Sequence, residues 1–250
     1  MLVTGKKVIR EFLLSPYQKL GAIYLARDLS PEKRGDIPHL ARERKVPLRE
    51  VSREDLKALS SGKDVRGGIL ATLPRFVTWD LEDLLQGRSQ GDIYAVALDR
   101  VFDPQNLGAV VRSAFCFGAS FLVIQKVRAA GITESVIRAS AGTVARIPVV
   151  QVTNLARALD RMKEDGYWVY GAESRGGEDP ERMDFSGKVI IVLGSEGEGM
   201  REGVRKRCDF FLRIPMVEEA DSLNVSVAAG ILFYNVYKKK VGKRGPSISR

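Results

Sequence analysis

From Ile93 onward the chain alternates short apolar runs with helical segments, and this pattern constrains the fold more than any other feature. The runs are Tyr94–Leu98, Phe121–Gln125, Ile147–Val152, Tyr167–Ala172, Val189–Leu193 and Phe210–Ile214. Each is five or six residues long, and Tyr94–Leu98 is apolar on both faces, as a strand buried on both sides must be. Between and after them, Asn106–Gly118, Glu134–Ala139, Leu155–Asp165, Arg201–Cys208 and Ser222–Lys240 read as helices. The third carries Leu155, Leu159 and Met162 on one face. Strands joined by helices predict an α/β domain built on a mostly parallel sheet with both faces covered. In such sheets ligands sit at the carboxyl ends of strands.

The first 76 residues are organised differently. Helical stretches (Lys6–Leu14, Ile37–Lys45 and Ser52–Ser60, with Ser52 as cap) alternate with strand-like ones (Ala22–Ala26, Val46–Val51 and Gly67–Ala71). This predicts a small α/β domain. Residues 77–92 read as a linker holding a short acidic helix, Trp79–Leu85, and a flexible stretch, Gly87–Gly91. Residues 241–250 read as a basic, disordered tail.

Charge follows the same division. Residues 1–76 hold 16 Lys and Arg against 9 Asp and Glu, whereas residues 93–240 hold 20 against 18. A basic first domain beside a near-neutral second one suggests that the first grips a polyanion. Surplus lysine serving solubility is the competing explanation.

Composition removes several chemistries. The single histidine, His39, lies beside a basic run and reads as a surface residue. With two cysteines, Cys116 and Cys208, and one histidine there is no conventional zinc site, and no metal is expected. Both cysteines read as reduced core thiols of a cytosolic protein. No apolar run approaches the roughly 18 residues of a membrane span. The start, MLVTGKKVIREFLL, lacks the order of a signal peptide.

Three polar clusters fall where ligands are expected. DPQNLGAVVRSA (Asp103–Ala114) follows the first strand and places Asn106 at a helix start, with Arg112 six residues on. GSEGEGM (Gly194–Met200) follows strand Val189–Leu193. IPM (Ile214–Met216) and SLN (Ser222–Asn224) precede the last helix. The glycine cluster has neither GK[ST] nor GxGxxG spacing, and Glu196 and Glu198 would repel a phosphate. A glycine loop lined by carboxylates suits a neutral or cationic ligand, although a tight strand-to-helix turn would need the same glycines. The last helix poses a related puzzle. Val225, Val227, Ala228, Ala229, Ile231, Leu232, Phe233 and Val236 make it apolar on nearly every side, as in a helix buried all round. Yet it opens with Asp221, Ser222 and Asn224, more capping residues than one cap requires.

NLGAVVRSA, LGSEGEGM and IPM…SLNVSVAAG, in this order and spacing, resemble the three motifs of the SpoU family of RNA ribose 2′-O-methyltransferases, within the SPOUT superfamily. ASAGTVARIPV (Ala139–Val149) resembles the family's intermediate segment. The likeness covers about residues 93–240; residues 1–76 resemble the family's L30e-like substrate-binding domain. It departs at Lys63–Gly68, where relatives often carry His-Gln-Gly and this chain has Val65-Arg66-Gly67.

The resemblance implies a C-terminal trefoil knot holding S-adenosylmethionine, and a homodimer through the knot and last helix. It implies that Gly194, Ile214 and Leu223 contact the cofactor through their backbones, with Met216 beside them and Ala172 in a weaker candidate loop. It implies that Arg112 acts on the attacking ribose hydroxyl. An arginine stays protonated in proteins, so orienting and polarising the ribose–phosphate unit is the expected role. Asn106, Glu196, Ser222 and Asn224 would hold the ribose and the loops. The expected substrate is structured RNA, a guanosine of 23S rRNA, with tRNA as the alternative. A non-catalytic RNA-binding assembly protein and a nucleotide-dependent oxidoreductase or ligase are the competing classes.

Overall fold

The computed structural model describes residues 1–62, 65, 67–86, 91–127 and 129–244. The chain divides into two compact units, Met1–Val77 with Ile132–Arg146, and Thr78–Gly131 with the residues from Ile147 onward.

In the first unit β1 (Leu2–Thr4), β2 (Ile23–Ala26), β3 (Leu48–Val51) and β4 (Ile69–Thr72) form a mixed sheet in the order β1-β4-β2-β3. Only β2 and β3 run parallel. Helix α1 (Lys6–Leu13) buries Ile9, Phe12 and Leu13, the stripe its spacing predicts. A short α2 (Pro31–Arg34) precedes α3 (Ile37–Glu43), which has Pro38 in its first turn. Helix α4 (Arg53–Leu59) opens on a capping box in which Ser52 Oγ accepts from Asp55 N and the Asp55 carboxylate accepts from Ser52 N. The strand β1 and helix α2 were not anticipated, being only three and four residues long.

Residues 132–146 also belong to the first unit, which sequence reasoning did not foresee. Glu134 accepts from Leu2 N at 2.7 Å, Arg146 pairs with Glu11 at 3.1 Å, and the buried Ser15 hydroxyl donates to Ala145 O. Gly142, at φ +87°, packs so closely that a Cβ there would lie 2.9 Å from the Val8 backbone.

The second unit begins with α5 (Leu81–Gln86), inside the stretch read as a linker. Leu81, Leu84 and Leu85 are buried in the main core, so the helix is part of the domain and not a free connector. Its apolar stripe is only six residues long and interrupted by acids, too little to outweigh them in the sequence. Strands β5 (Ile93–Leu98), β6 (Phe121–Gln125), β7 (Val149–Val152), β8 (Tyr167–Ala172), β9 (Lys188–Leu193) and β10 (Phe210–Leu212) form one sheet in the order β10-β8-β9-β5-β6-β7. Every pairing is parallel, as predicted. One face packs Ala95, Ala97, Phe121, Val123, Val169, Ile190 and Val192 against Leu155, Leu159 and Met162 of α8 (Leu155–Glu164). The other is covered by α6 (Pro104–Cys116) and α10 (Val225–Arg244), with Phe233 meeting Tyr94 edge to face at 5.8 Å. Two shorter helices, α7 (Glu134–Ala139, within the first unit) and α9 (Glu202–Arg205), complete the set. The fold class is the expected one: a small α/β N-terminal domain and a parallel-sheet α/β domain.

Three expectations need correction. Helix α10 is not buried all round: Ala229, Leu232, Phe233 and Val236 face the core, while Val227 and Tyr234 are 50% and 51% exposed. A helix laid on one sheet face can bury only the side turned to that sheet. Cys116 is an exposed thiol, because it ends α6 on the side away from the sheet; Cys208 is partly buried, and desolvation raises its thiol pKa to about 12. The tail is also shorter than predicted, since α10 runs to Arg244. The remaining tail residues 245–250, the stretch 87–90, and Lys63, Asp64 and Arg66 of the departing turn lie outside the described residues. His39 is exposed, as expected, beside Glu43 at 3.3 Å. Among the described residues no helix is long and apolar enough to cross a membrane, and no cluster of three His, Cys, Asp or Glu could hold a metal.

Candidate active site

The sheet order puts β5 beside β9, although the chain leaves β5 for β6 and β7 on the far side. Strand order therefore reverses between these two, and the loops after them flank the resulting crevice. The loop after β5 starts α6: the Asp103 carboxylate caps it by accepting from Gln105 N at 3.1 Å and Asn106 N at 3.2 Å. Asn106 is thereby held in the first turn of α6. The loop after β9 is a tight glycine turn closed by Ser195 N to Gly199 O (3.1 Å) and Gly199 N to Ser195 O (3.0 Å).

Glu196, at the tip of that turn, joins three elements. Its Oε1 accepts from Asn106 Nδ2 at 3.0 Å, from Asn224 Nδ2 at 2.5 Å and from Val225 N at 3.3 Å. Asn224 Nδ2 also donates to Asn106 Oδ1 at 3.1 Å. One carboxylate thus ties the starts of α6 and α10 to the glycine turn, through charge-assisted bonds. Asn224 resolves the puzzle of the polar helix start. Its Oδ1 accepts from Ser226 N (2.9 Å) and Ser226 Oγ (2.6 Å), which caps α10, while its amide nitrogen serves the Glu196 junction. Ser222 is exposed and lies outside this junction.

Arg112 stands six residues after Asn106, about 9 Å along the helix axis. It is exposed, and among the described residues no hydrogen bond or ion pair engages it, so the alternative of a structural ion pair finds no support.

Beside the junction opens a cleft of about 650 Å³. Gly194, Ile214, Met216, Leu223 and Ala172 all line it, as do Glu196 and Ser222; Asn106, Arg112 and Asn224 do not. Glu173, within the weaker candidate loop Ala172–Gly177, lines it too, and so does Arg205, which sequence reasoning missed. Arg205 Nε donates to Glu173 Oε1 at 2.5 Å and its guanidinium lies 4.8 Å from the Phe211 ring centre. The hydrogen bond to Glu173, then that carboxylate's charge, raise the Arg205 pKa. Glu173 directly follows β8, where the strand-end rule places ligands, whereas Arg205 ends α9 and no motif spacing marks it.

Gly194 explains why the turn needs a residue without a side chain. A Cβ there would stand 2.2 Å from Gly199 C and 2.3 Å from Met200 N, both backbone atoms that cannot yield. Gly194→Ala is therefore expected to push the turn outward and weaken ligand binding in the cleft about tenfold, close to 1.4 kcal/mol. Isothermal titration with S-adenosylhomocysteine reads this directly; an unchanged Kd would mean that the turn does not shape the cleft.

Three loops gathered at a strand-order reversal, with one cleft between them, define an α/β domain that binds a small ligand beside a polar junction. The chain belongs to the SpoU family of RNA methyltransferases: the model of the SpoU rRNA Methylase family matches residues 94–234, and that described as RNA 2′-O ribose methyltransferase substrate binding matches residues 2–77. The chain is 37% identical over 240 residues to YacO of Bacillus subtilis (strain 168), assigned to the TrmH family of tRNA/rRNA methyltransferases, covering 95% of each chain. It is similar to a crystal structure of an RNA 2′-O ribose methyltransferase at 27% identity and a TM-score of 0.73, covering 96% of this chain and 88% of the other. The SpoU methyltransferase AviRb from Streptomyces viridochromogenes, solved with AdoMet, shares the fold at 23% identity and a TM-score of 0.78, covering 96% and 90%.

Proposed function

We propose that this chain transfers a methyl group from S-adenosylmethionine to the 2′-hydroxyl of a guanosine ribose in 23S rRNA. The observation that carries this reading is the Glu196 junction beside a cleft lined by Gly194, Ile214 and Leu223. When bound, the cofactor supplies a methyl group already activated by a sulfonium. The cleft suits it: its volume is within the range of about 300–1,000 Å³ for small-molecule sites, and backbone can approach at Gly194. Of its acidic lining residues, Glu173, Asp221 and Glu198 pair with Arg205, Arg175 and Arg100, which leaves the Glu196 carboxylate as the surplus charge facing a cationic centre.

The residues then divide the work. Gly194, Ile214, Met216, Leu223 and Ala172 hold the cofactor. Asn106, Glu196 and Asn224 fix the floor on which the ribose sits, and Ser222 approaches it from the cleft side. Arg112, with no hydrogen bond or ion pair among the described residues, orients the ribose–phosphate unit and stabilises charge developing on the 2′-oxygen. The RNA is gripped by the basic domain of residues 1–76, which the substrate-binding family model matches nearly in full. The trefoil knot belongs to the same reading, as does a cytoplasmic location.

Transfer of labelled methyl to unmodified 23S rRNA and to bulk tRNA transcripts, with ribose methylation mapped afterwards, tests this. Label in a guanosine ribose of the rRNA is expected. Label in tRNA alone would keep the reaction and overturn the substrate; label in neither, with cofactor bound, would point to an RNA-binding assembly role.

A homodimer through α10 completes the reading. Val227, Ile231, Tyr234 and Tyr237 leave an apolar stripe on the outer side of the helix, and Phe117 adds to it through ring contacts with Tyr234 and Tyr237 at 5.8 and 6.1 Å. Light scattering should give twice the 27.6 kDa chain mass, and Tyr234→Glu should halve it. A monomeric wild type at micromolar concentration would reject the dimer.

A further inference from the structure

Two ion pairs pin the glycine turn to the end of β5; Asp99, Arg100 and Arg201 lie outside the junction and the cleft lining, and only Glu198 also faces the cleft. The first is buried. Asp99, with no exposed surface, accepts from Arg201 N at 2.8 Å, Arg201 Nε at 2.9 Å and Arg201 Nη2 at 2.7 Å. Removing one member of such a pair leaves a buried charge uncompensated. The second reaches the tip of the turn: Arg100 Nη2 meets Glu198 at 2.7 Å. The Arg100 side chain is 22% exposed against 72% for Glu198, and its buried Nε has no hydrogen-bond partner. Its backbone sits at φ +60°, a left-handed conformation that a non-glycine residue keeps only where its surroundings hold it.

Asp99 and Arg100 are adjacent, so one strand end grips the turn at two places, Glu198 and Arg201. Glu196, which must meet Asn106 and Asn224 at once, lies just before the first of these. A turn anchored only at β9 would leave its carboxylate free to move by more than a hydrogen bond tolerates.

We propose that Asp99 and Arg100 are positioning residues for methyl transfer, acting through Arg201 and Glu198 to hold Glu196 on the two asparagines. The inference rests on the methyltransferase reading. Arg100 does not act as a phosphate contact here; its charge is spent on Glu198.

The test is a double-mutant cycle on the full chain, with kcat and KM for RNA measured for Arg100→Ala, Glu198→Ala and the double variant, and amide hydrogen exchange followed over residues 195–201. Each single variant should lower kcat about tenfold with KM for RNA within twofold, and the double should lose no more than either single, because the two residues act as one unit. Exchange in the turn should accelerate in all three. Asp99→Asn, if it folds, should do the same, and Arg201→Lys should be milder than Arg201→Ala. If Arg100 instead binds RNA, Arg100→Ala raises KM while Glu198→Ala lowers it by freeing the arginine, and that outcome overturns the proposal. Unchanged kcat and unchanged exchange also overturn it. A wild-type protein that transfers no methyl group would defeat the functional reading alone; the exchange data would still decide whether the clamp exists.

Discussion

Arg112→Ala is expected to lower kcat for methyl transfer by about 10³-fold, the scale seen when a donor aimed at developing negative charge is lost. The Kd for S-adenosylhomocysteine stays within about threefold, near 0.6 kcal/mol, because Arg112 does not line the cleft. Stability is also unchanged: the side chain is exposed and no partner within the described residues loses a bond. Arg112→Lys recovers little, since an ammonium keeps the charge but not the planar fork that spans a phosphate and a hydroxyl together. Single-turnover kinetics with saturating cofactor and RNA measures the effect. Near-normal turnover in Arg112→Ala would end the assignment and turn attention to Ser222 and Asn106.

Glu196→Ala gives the second large effect, a loss of about 10²-fold in kcat with a melting temperature close to that of the wild type. Its carboxylate is the acceptor for Asn106, Asn224 and the first amide of α10, so its removal releases the two helix starts proposed as the floor for the ribose. A misplacement of about 1 Å at the reacting atoms costs this much in rate. Stability is spared because the residue is exposed and water can replace each bond. Glu196→Gln keeps an acceptor oxygen but loses its charge, and charge-assisted bonds are about twice as strong as neutral ones, so its kcat should fall between the other two. Combining Asn106→Ala with Glu196→Ala should cost no more than Glu196→Ala alone. Additive losses would show that the two residues act separately.

The clamp and the junction imply an order of dependence. On the proposed reading, cofactor residues shape the cleft, the junction sets the ribose floor, and the pair Asp99–Arg100 keeps the junction in register. Variants should therefore separate by readout: Gly194→Ala in cofactor Kd, Glu196→Ala and Arg112→Ala in kcat, and Arg100→Ala in kcat together with exchange of the turn.

Much of this protein was legible in the residues because its information is local. Apolar runs such as Phe121–Gln125 and Tyr167–Ala172 coincide with β6 and β8 to the residue, and Glu134–Ala139 with α7. Side-chain periodicity and capping act over a few residues, and a short window contains them. The three motif loops were legible for the same reason, together with the rule that ligands gather at strand ends. What only the tertiary structure decided depends on partners far apart in the chain. Sheet order brings β5 beside β9, ninety-five residues apart at Ala95 and Ile190, and so places Glu196 on Asn106 and Asp99 on Arg201. No local pattern in AVALDRVFD marks Asp99 as fully buried, because its counter-charge arrives from a loop one hundred and two residues later. The capture of residues 132–146 by the first unit, the burial of α5 and the bare outer face of α10 have the same origin. Periodicity states which residues prefer to be covered, and only the assembled fold determines whether a surface is there to cover them.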